Sequence, residues 1–557
     1  MRRRADELRP DMLRLTELRL PLDHPPEALD IAVAERLGTV PLRYSVFRRG
    51  YDARNPRRIM LAYTIDAEVP DETSLLTRDP RLRPSPDMTY RFVATAPEGM
   101  TERPVVVGTG PCGLMAALIL AQSGFRPIIL ERGKAVRERT KDTWGLWRRQ
   151  ILNPESNVQF GEGGAGTFSD GKLWSQIRDP FFFGRKLLAE FVKAGAPEEI
   201  LFISKPHIGT FRLVQMVERI RAEITELGGE YRFGHRVDDI ETDVETGAIH
   251  ALHLSNGERL EARHVILAIG HSARDTFAML HGRGVQMEAK PFSVGVRIEH
   301  PQSLINQRRF GPNAGNKLLG AADYRLVHHA SNGRGVYSFC MCPGGRVVAA
   351  ASEEGRVVTN GMSQYQRDER NANAGIVVGI NPEDYPGGPL AGIEFQRHWE
   401  ERAFEAGGGD YRAPAQRVGD FLAGRASPSL GEVAPSYQPG VTPTNLSPCL
   451  PDFAVAAMRE ALAAFDRDLP GFAMGDAVMT GVETRTSSPL RIPRGEDCQS
   501  LNTPGLYPAG EGAGYAGGIF SAGVDGIRVA EAVALAMTGG GPVRSSGRPQ
   551  DDSVTYG

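Results

Sequence analysis

The stretch Val105-Val-Val-Gly-Thr-Gly-Pro-Cys-Gly-Leu-Met-Ala-Ala-Leu-Ile-Leu-Ala-Gln-Ser-Gly-Phe-Arg-Pro-Ile-Ile-Leu-Glu131 decides the fold. It reads as a buried apolar strand, a glycine turn, a helix over about Cys112 to Ser123, and a second strand ending on an acid. Gly108, Gly110 and Gly113 stand at G-x-G-x-x-G spacing. The first allows a tight turn, the second lets a pyrophosphate approach the backbone, and the third packs helix on strand. Pro111 and Cys112 sit where the helix opens, so its unpaired N–H groups and positive dipole end face the phosphates. Glu131 follows Gly113 by 18 residues (131 − 113), where a carboxylate can accept hydrogen bonds from an adenosine ribose. The motif alone is weak; strand before, helix after and a spaced acid make it strong.

The rest of the chain fits a multi-domain α/β protein. At 557 residues it is long enough for several cores, and a net charge of −3 gives no global pull towards nucleic acid or membrane. The 64 glycines fall in apolar contexts, which suits close backbone approach to a large ligand. Five scattered cysteines make no disulfide framework, and no second Cys/His pair stands at metal-ligand spacing, so no metal is expected. The opening residues lack the apolar run of a signal peptide, and a cytoplasmic address is the expectation.

Residues 1–100 read as a small ferredoxin-like α/β module and a linker. Strands are expected near 12–20, 40–49 and 58–69, a helix near 25–37, and the linker over 70–90. Arg48, Arg49, Arg54, Arg57 and Arg58 crowd its hairpin: a docking patch for an acidic protein partner, a carrier or nucleic acid, or, the favoured reading, a solvated, edge-protecting set of charges. Beyond Glu131, Asn157-Val-Gln-Phe-Gly-Glu-Gly-Gly-Ala-Gly-Thr-Phe-Ser-Asp-Gly-Lys172 is too glycine-dense for a regular element. Such a loop can wrap a flat cofactor through Gly163 and Gly164, with Thr167, Ser169 and Asp170 as polar contacts. A helical stretch over 184–227, a β-meander over 231–265 and a strand ending Ala268-Ile-Gly270 complete a first part, 101–285. Residues 286–440 read as a β-rich substrate or cap domain, inserted before a second part over 441–537. In that second part, Tyr507-Pro-Ala-Gly-Glu-Gly-Ala-Gly-Tyr-Ala-Gly-Gly518 runs from a strand through a glycine turn into a helix starting at Gly518 and Ile519. Gly510 and Glu511 are placed for a ribityl hydroxyl, and residues 538–557 read as a disordered tail.

These stretches together resemble the two-part, discontinuous FAD site of flavoproteins related to glutathione reductase. More narrowly, Gly161-Glu-Gly-Gly-Ala-Gly-Thr-Phe-Ser-Asp-Gly171, Phe339-Cys-Met-Cys-Pro-Gly-Gly345, Asn360-Gly-Met-Ser363 and Glu483-Thr-Arg-Thr-Ser-Ser488 resemble the FAD-dependent, or NAD(FAD)-utilizing, dehydrogenase family. The resemblance implies non-covalent FAD in a Rossmann-like α/β domain. It puts Gly108, Gly110, Gly113 and Glu131 on the ADP half, Arg132 beside it, Val237 against adenine, and Gly510 and Glu511 at the ribityl chain. Glu511 stands where the wider superfamily uses Asp.

The expected activity is that of an FAD-dependent dehydrogenase acting on a small or medium organic substrate. A flavin monooxygenase and a flavin-state sensor docking through the Arg-rich hairpin are the alternatives. No second G-x-G-x-x-G unit appears for NAD(P)H, which argues against a two-nucleotide disulfide-reductase layout; NAD(P)H can bind without that signature and stays open as electron donor or acceptor. Candidate catalytic groups are Cys340 and Cys342, Arg485 with Arg297 for an anionic substrate, Tyr515 beside the ring, and His271 or His300 as acid–base groups. Each also has a structural reading: packed thiols, ion-pair partners, or core histidines. Asp170-Gly171 falls too soon after Glu131 for the flavin hydroxylase motif. Trp144-Gly-Leu-Trp147 lacks the following context of a halogenase motif, and core or lid packing is expected of it.

Overall fold

The computed structural model describes residues 8–541 and Arg544; the rest of the tail expected over 538–557, and residues 1–7, lie outside the described residues. Five parallel strands, in the order Leu506–Pro508, Val265–Leu267, Val105–Val107, Ile128–Glu131, Glu230–Phe233, form the dinucleotide sheet. Their residues alternate between two cores. Val106, Ile129 and Ile266 face the helices Pro111–Gln122, Thr210–Glu226 and Ile519–Met537. Val105, Val107, Leu130 and Leu267 face the three-stranded meander and the helix Arg274–Gly282. With both faces covered, the strands need no polar residues, which is why they read as unbroken apolar runs. The meander begins at Val237, not at Tyr231, whose strand belongs to the parallel sheet.

The N-terminal module is βαββαβ, with sheet order Arg43–Asp52, Met60–Glu68, Leu8–Pro21, Arg83–Pro86, the ferredoxin-like arrangement. The stretch expected as a linker over 70–90 supplies its second helix, Glu72–Arg78, and that fourth strand. The strand lies at the sheet edge, where its two prolines remove no needed ladder bond. The Arg-rich hairpin is docked within the chain: Arg49 N donates to Phe202 O at 2.6 Å, and Arg49 O accepts from Ser204 N at 2.9 Å. Arg54 pairs with Asp52.

Between the two parts of the dinucleotide domain stands a seven-stranded sheet. Its order is Val327–His329, Gly335–Cys342, Asn371–Ile380, Phe292–Pro301, Val478–Glu483, Ala413–Arg417, Val441–Pro443. The helix Asp452–Asp468 packs on its Gly335–Cys342 and Asn371–Ile380 strands. The boundary expected at 440/441 therefore falls inside this layer, which runs to Glu483. A helical period is the same whichever sheet the helix covers, so the sequence pattern leaves that choice open. The chain leaves and re-enters through one neck, where Glu288–Ala289 pairs with Leu490–Arg491. Among the described residues no helix is long and apolar enough to cross a membrane.

Candidate FAD and substrate site

A cavity of about 780 Å³ opens at the C-terminal ends of the parallel strands and continues to the cap sheet. At its dinucleotide end the three motif glycines separate into two kinds. A Cβ on Gly108, whose φ is +97°, would lie 2.3 Å from Ala268 O, and one on Gly113 would lie 1.9 Å from Gly108 O. These two are glycine because the protein's own backbone passes there. Gly110 instead faces open space, its nearest neighbour being Gly164 Cα at 3.8 Å. Gly270, Gly517 and Gly518 likewise meet nothing within 4 Å, and all four line the cavity. A groove floored by bare glycine backbone and opening on a helix N-terminus fits the diphosphate and sugar chain of FAD.

Glu131 is buried, and it is already occupied. Its Oε2 accepts from Thr109 N at 3.0 Å and Thr109 Oγ1 at 2.5 Å, its Oε1 from Gly133 N at 2.9 Å and Gly161 N at 3.0 Å. These four bonds fill a carboxylate's acceptor sites, so a ribose hydroxyl has to replace one; the Thr109 hydroxyl is the donor free to rotate. Beside it Arg132 binds Glu155 and Asp275 and lies 4.1 Å over the Phe160 ring, with Val237, Ala268 and Gly270 completing this end.

The glycine-dense loop is held by one residue the sequence reading passed over. Arg139, fully buried, donates to the carbonyls of Asn157, Val158, Gly161 and Glu162. It lies in the charged run Val136–Arg149, where nothing local distinguishes it from its solvated neighbours. Gly164, Ser169 and Asp170 reach the cavity, whereas Gly163 and Thr167 stand behind its wall. Asp170 binds Arg367 at 2.9 and 2.5 Å and Lys172 at 3.4 Å. Burial alone would raise its carboxyl, but these cations outweigh it and hold Asp170 below the usual carboxylate range. Trp147 donates to Ala349 O at 2.9 Å and meets Phe168 edge-on, bracing loop against cap.

At the ribityl end Gly510 N donates to Asp525 Oδ2 at 2.8 Å. Glu511, half-buried and on the cavity wall, has its carboxyl pushed up to about 7 by burial, with Lys290 pulling the other way. The sign for stability follows: a carboxyl raised above its unfolded value of about 4.3 favours folding below that pH, and the contribution is lost as pH rises through 7. FAD-free protein is therefore expected to lose melting temperature between pH 5 and 8 more steeply than its Glu511→Gln variant. Parallel curves for the two would show that Glu511 is not held neutral. Glu531, also pushed up by burial to about 7, changes both curves alike.

Of the expected catalytic groups, Cys340, Arg485 and His271 line the cavity; Cys342, Tyr515, Arg297 and His300 do not. The Tyr515 ring lies 3.8 Å from the Arg494 guanidinium, and its hydroxyl accepts from Arg494 N at 3.0 Å. Arg297, fully buried, is spent on Glu483 at 2.6 and 2.8 Å. His300 bonds Phe472 O inside the cap core. Arg485 donates to Glu400, Ser272 and Ser352, so its donors are largely committed to protein. Burial, with Arg485 and Arg274 adding, pulls His271 down to about 3 and keeps it neutral. The cavity wall away from the motif glycines comes from Lys172 and Phe339, which belong to two of the quoted stretches, and from Trp174, Lys205, Tyr324 and Arg325, which belong to none.

Comparison with known proteins supports FAD binding by this chain. Residues 103–156 match the FAD binding domain family, 148–285 the flavin containing amine oxidoreductase family, and 291–486 the family described as FAD-dependent protein, C-terminal domain-like. A protein of Clostridium beijerinckii, described as uncharacterized, is 47% identical over 526 residues, 93% of this chain and 98% of that protein. The chain belongs to the same family as this relative, and it is an FAD-dependent oxidoreductase. Among solved structures, L-amino acid deaminase from Proteus vulgaris is 11% identical over 82% of this chain and 94% of that one, with a TM-score of 0.35. 3-Ketosteroid-delta4-(5alpha)-dehydrogenase from Rhodococcus jostii is 12% identical over 80% and 99%, with a TM-score of 0.34. At those scores neither decides anything about this chain.

Proposed function

We propose that this oxidoreductase is a dehydrogenase that takes a hydride or an electron pair from a small or medium organic substrate seated between the FAD and cap layers. One observation carries the reading: the cavity runs without a break from the motif glycines to the wall formed by Ser338, Phe339, Cys340 and Met341. Bound FAD supplies the two-electron chemistry. Gly110, Gly164, Gly510, Gly517 and Gly518 give the backbone surface that holds it, and Arg132 flanks the ADP half. The helix Ile519–Met537 points its positive N-terminal end into the cavity, where it favours negative charge on a reduced ring. Trp174, Tyr324 and Phe339 exclude water from the substrate side and give an apolar body something to pack on. His271, held neutral and bonded through Nδ1 to Ser272 Oγ at 2.9 Å, presents its other nitrogen as a hydrogen-bonding group that orients the substrate without taking its proton.

The test is an anaerobic titration of the bound flavin with organic donors, NADH and NADPH. An organic donor is expected to bleach the flavin absorbance without oxygen. Reduction by nicotinamide alone, with oxygen then appearing in a product, would replace this reading by a monooxygenase. The flavin-state sensor docking through Arg48, Arg49, Arg57 and Arg58 predicts partner binding that changes on flavin reduction. The Arg49 backbone is bonded within the chain, while Arg57 and Arg58 are exposed, so the binding measurement decides that reading.

A further inference from the structure

The strand Gly335–Cys342 pairs regularly with Asn371–Ile380 as far as Phe339, then slips before Cys342 pairs with Asn373. At the slip stands Cys340, with a φ of +43°, a left-handed conformation rare for a residue bearing a side chain. A regular strand shows alternate residues to one side; here Ser338, Phe339, Cys340 and Met341 all line the cavity. Such strain persists only where the surroundings over-determine it. They do so here: Arg297, buried and paired to Glu483, donates to Cys340 O at 2.9 Å, and the Cys342 thiol approaches the same oxygen at 3.3 Å.

Cys340 is half-buried at the cavity, and Cys342, two residues on, is fully buried behind it with its thiol turned to the Cys340 carbonyl. Lys172 Nζ stands 4.0 Å from Cys342 Sγ and is held by the Met341 carbonyl and by Asp170. The S–H of Cys342 lowers the Cys340 thiol most, burial opposes, and the Lys172 and Arg297 cations lower it further. The same bond and burial raise Cys342. The thiol that faces the cavity is thus the one whose thiolate is favoured, and the thiol two residues on, behind the wall, is the one whose protonated form is favoured. That is the division of labour of an attacking and a resolving cysteine.

The geometry points to Cys340 and Cys342 as a thiol–disulfide exchange site that takes a small disulfide from the cavity. The Cys340 sulfur attacks one sulfur of the substrate disulfide; a new S–S bond forms, the old one breaks, and the first thiolate leaves. The Cys342 sulfur then attacks the Cys340 sulfur and releases the second thiolate, leaving a Cys340–Cys342 disulfide. The substrate gains two electrons and the pair loses two; Cys340 reacts as the thiolate, so the first group leaves as a thiolate and the one proton, on Cys342, goes with the second. Run backwards, the same steps oxidise a substrate dithiol. This site stands independently of the hydride-transfer reading.

The experiment mixes native, FAD-loaded protein with excess of a chromogenic aromatic disulfide and follows the coloured thiolate and the intact mass. Wild-type protein is expected to release two thiolates per chain in a fast phase and to retain no aromatic thiol. Cys342→Ser should release one and keep the aromatic thiol bound at Cys340; Cys340→Ser should lose the fast phase. Cys112, Cys449 and Cys498 are buried, with thiols raised chiefly by burial, and belong to the slow phase. An unchanged fast phase in Cys340→Ser, or a wild-type protein that retains the aromatic thiol, overturns the proposal. If Cys340→Ser fails to fold, peptide mapping of reacted wild-type protein decides alone. A Cys340–Cys342 peptide lighter by two hydrogens supports the site, and a peptide with both thiols free removes it. The thiolate is read without any electron donor, so this result and the anaerobic flavin titration can fail separately.

Discussion

Glu400→Ala is expected to cost about 3–5 kcal/mol of folding stability, the range for removing one partner from a buried ion pair. Glu400 lies on the helix Ala391–Gly407 with no exposed surface. It accepts from Arg274 at 2.9 and 2.7 Å, from Arg485 at 3.1 and 3.0 Å, and from the Thr484 hydroxyl at 2.8 Å. Without it two buried guanidinium groups face each other with only Glu353, at the network's edge, to balance them. Burial alone would raise the Glu400 carboxyl, but Arg274 and Arg485 outweigh it and hold it below the usual carboxylate range. Its contribution is thus present above the unfolded value of about 4.3 and is lost as pH falls towards the folded one. Urea unfolding of the FAD-loaded protein at pH 7 should show a lower midpoint at unchanged slope. The stability of the variant should also fall less steeply than the wild type's below pH 4. Because Arg485, Ser272 and His271 line the cavity, the visible spectrum of the bound flavin should shift as well. A loss under about 1 kcal/mol, the value of an exposed pair, would show that the network is not what holds this wall.

What could be read from the chain beforehand divides along a physical line. Local pattern carried the dinucleotide unit, because strand, turn, helix and strand are contiguous and Gly113 answers to Gly108 within the same turn. It also carried the βαββ part of the N-terminal module. It failed at Arg83–Pro86, where two prolines argue against any strand and only the edge position permits one. It failed again at 440/441, because membership of the cap sheet depends on the pairing of Val478–Glu483 with Phe292–Pro301, residues far apart in sequence. The Asp170–Arg367 and Arg274–Glu400–Arg485 networks were hidden for a related reason: a charge in a sequence does not state whether it is solvated or buried and paired. Tyr515 shows the converse case. Its place in a glycine turn suggested the cofactor ring, yet Arg494, only 21 residues earlier (515 − 494), takes both its face and its hydroxyl.

Gly110→Ala and Gly113→Ala, identical changes three residues apart, are expected to fail in opposite ways. Gly110 has φ −67° and ψ 179°, a conformation alanine adopts without strain, and its Cβ would meet no protein atom closer than 3.8 Å. The variant should therefore fold with near wild-type stability. The methyl group projects into the groove where the pyrophosphate has to approach the backbone, and FAD affinity should fall roughly 10- to 100-fold, the equivalent of 1–3 kcal/mol of overpacking. At Gly113 the same methyl would lie 1.9 Å from Gly108 O and 3.0 Å from Gly108 C, backbone atoms of the turn itself. Relief requires the helix Pro111–Gln122 to move off the strand, at a cost of about 3 kcal/mol or more. The loss should appear in the melting of the FAD-free protein, before any ligand is added. Fluorescence titration of refolded apoprotein with FAD, beside thermal melts of the same samples, reads both quantities. If Gly110→Ala kept its FAD affinity, the open face of that glycine would not be where the diphosphate lies, and the helix N-terminus would have to hold its ligand from another side.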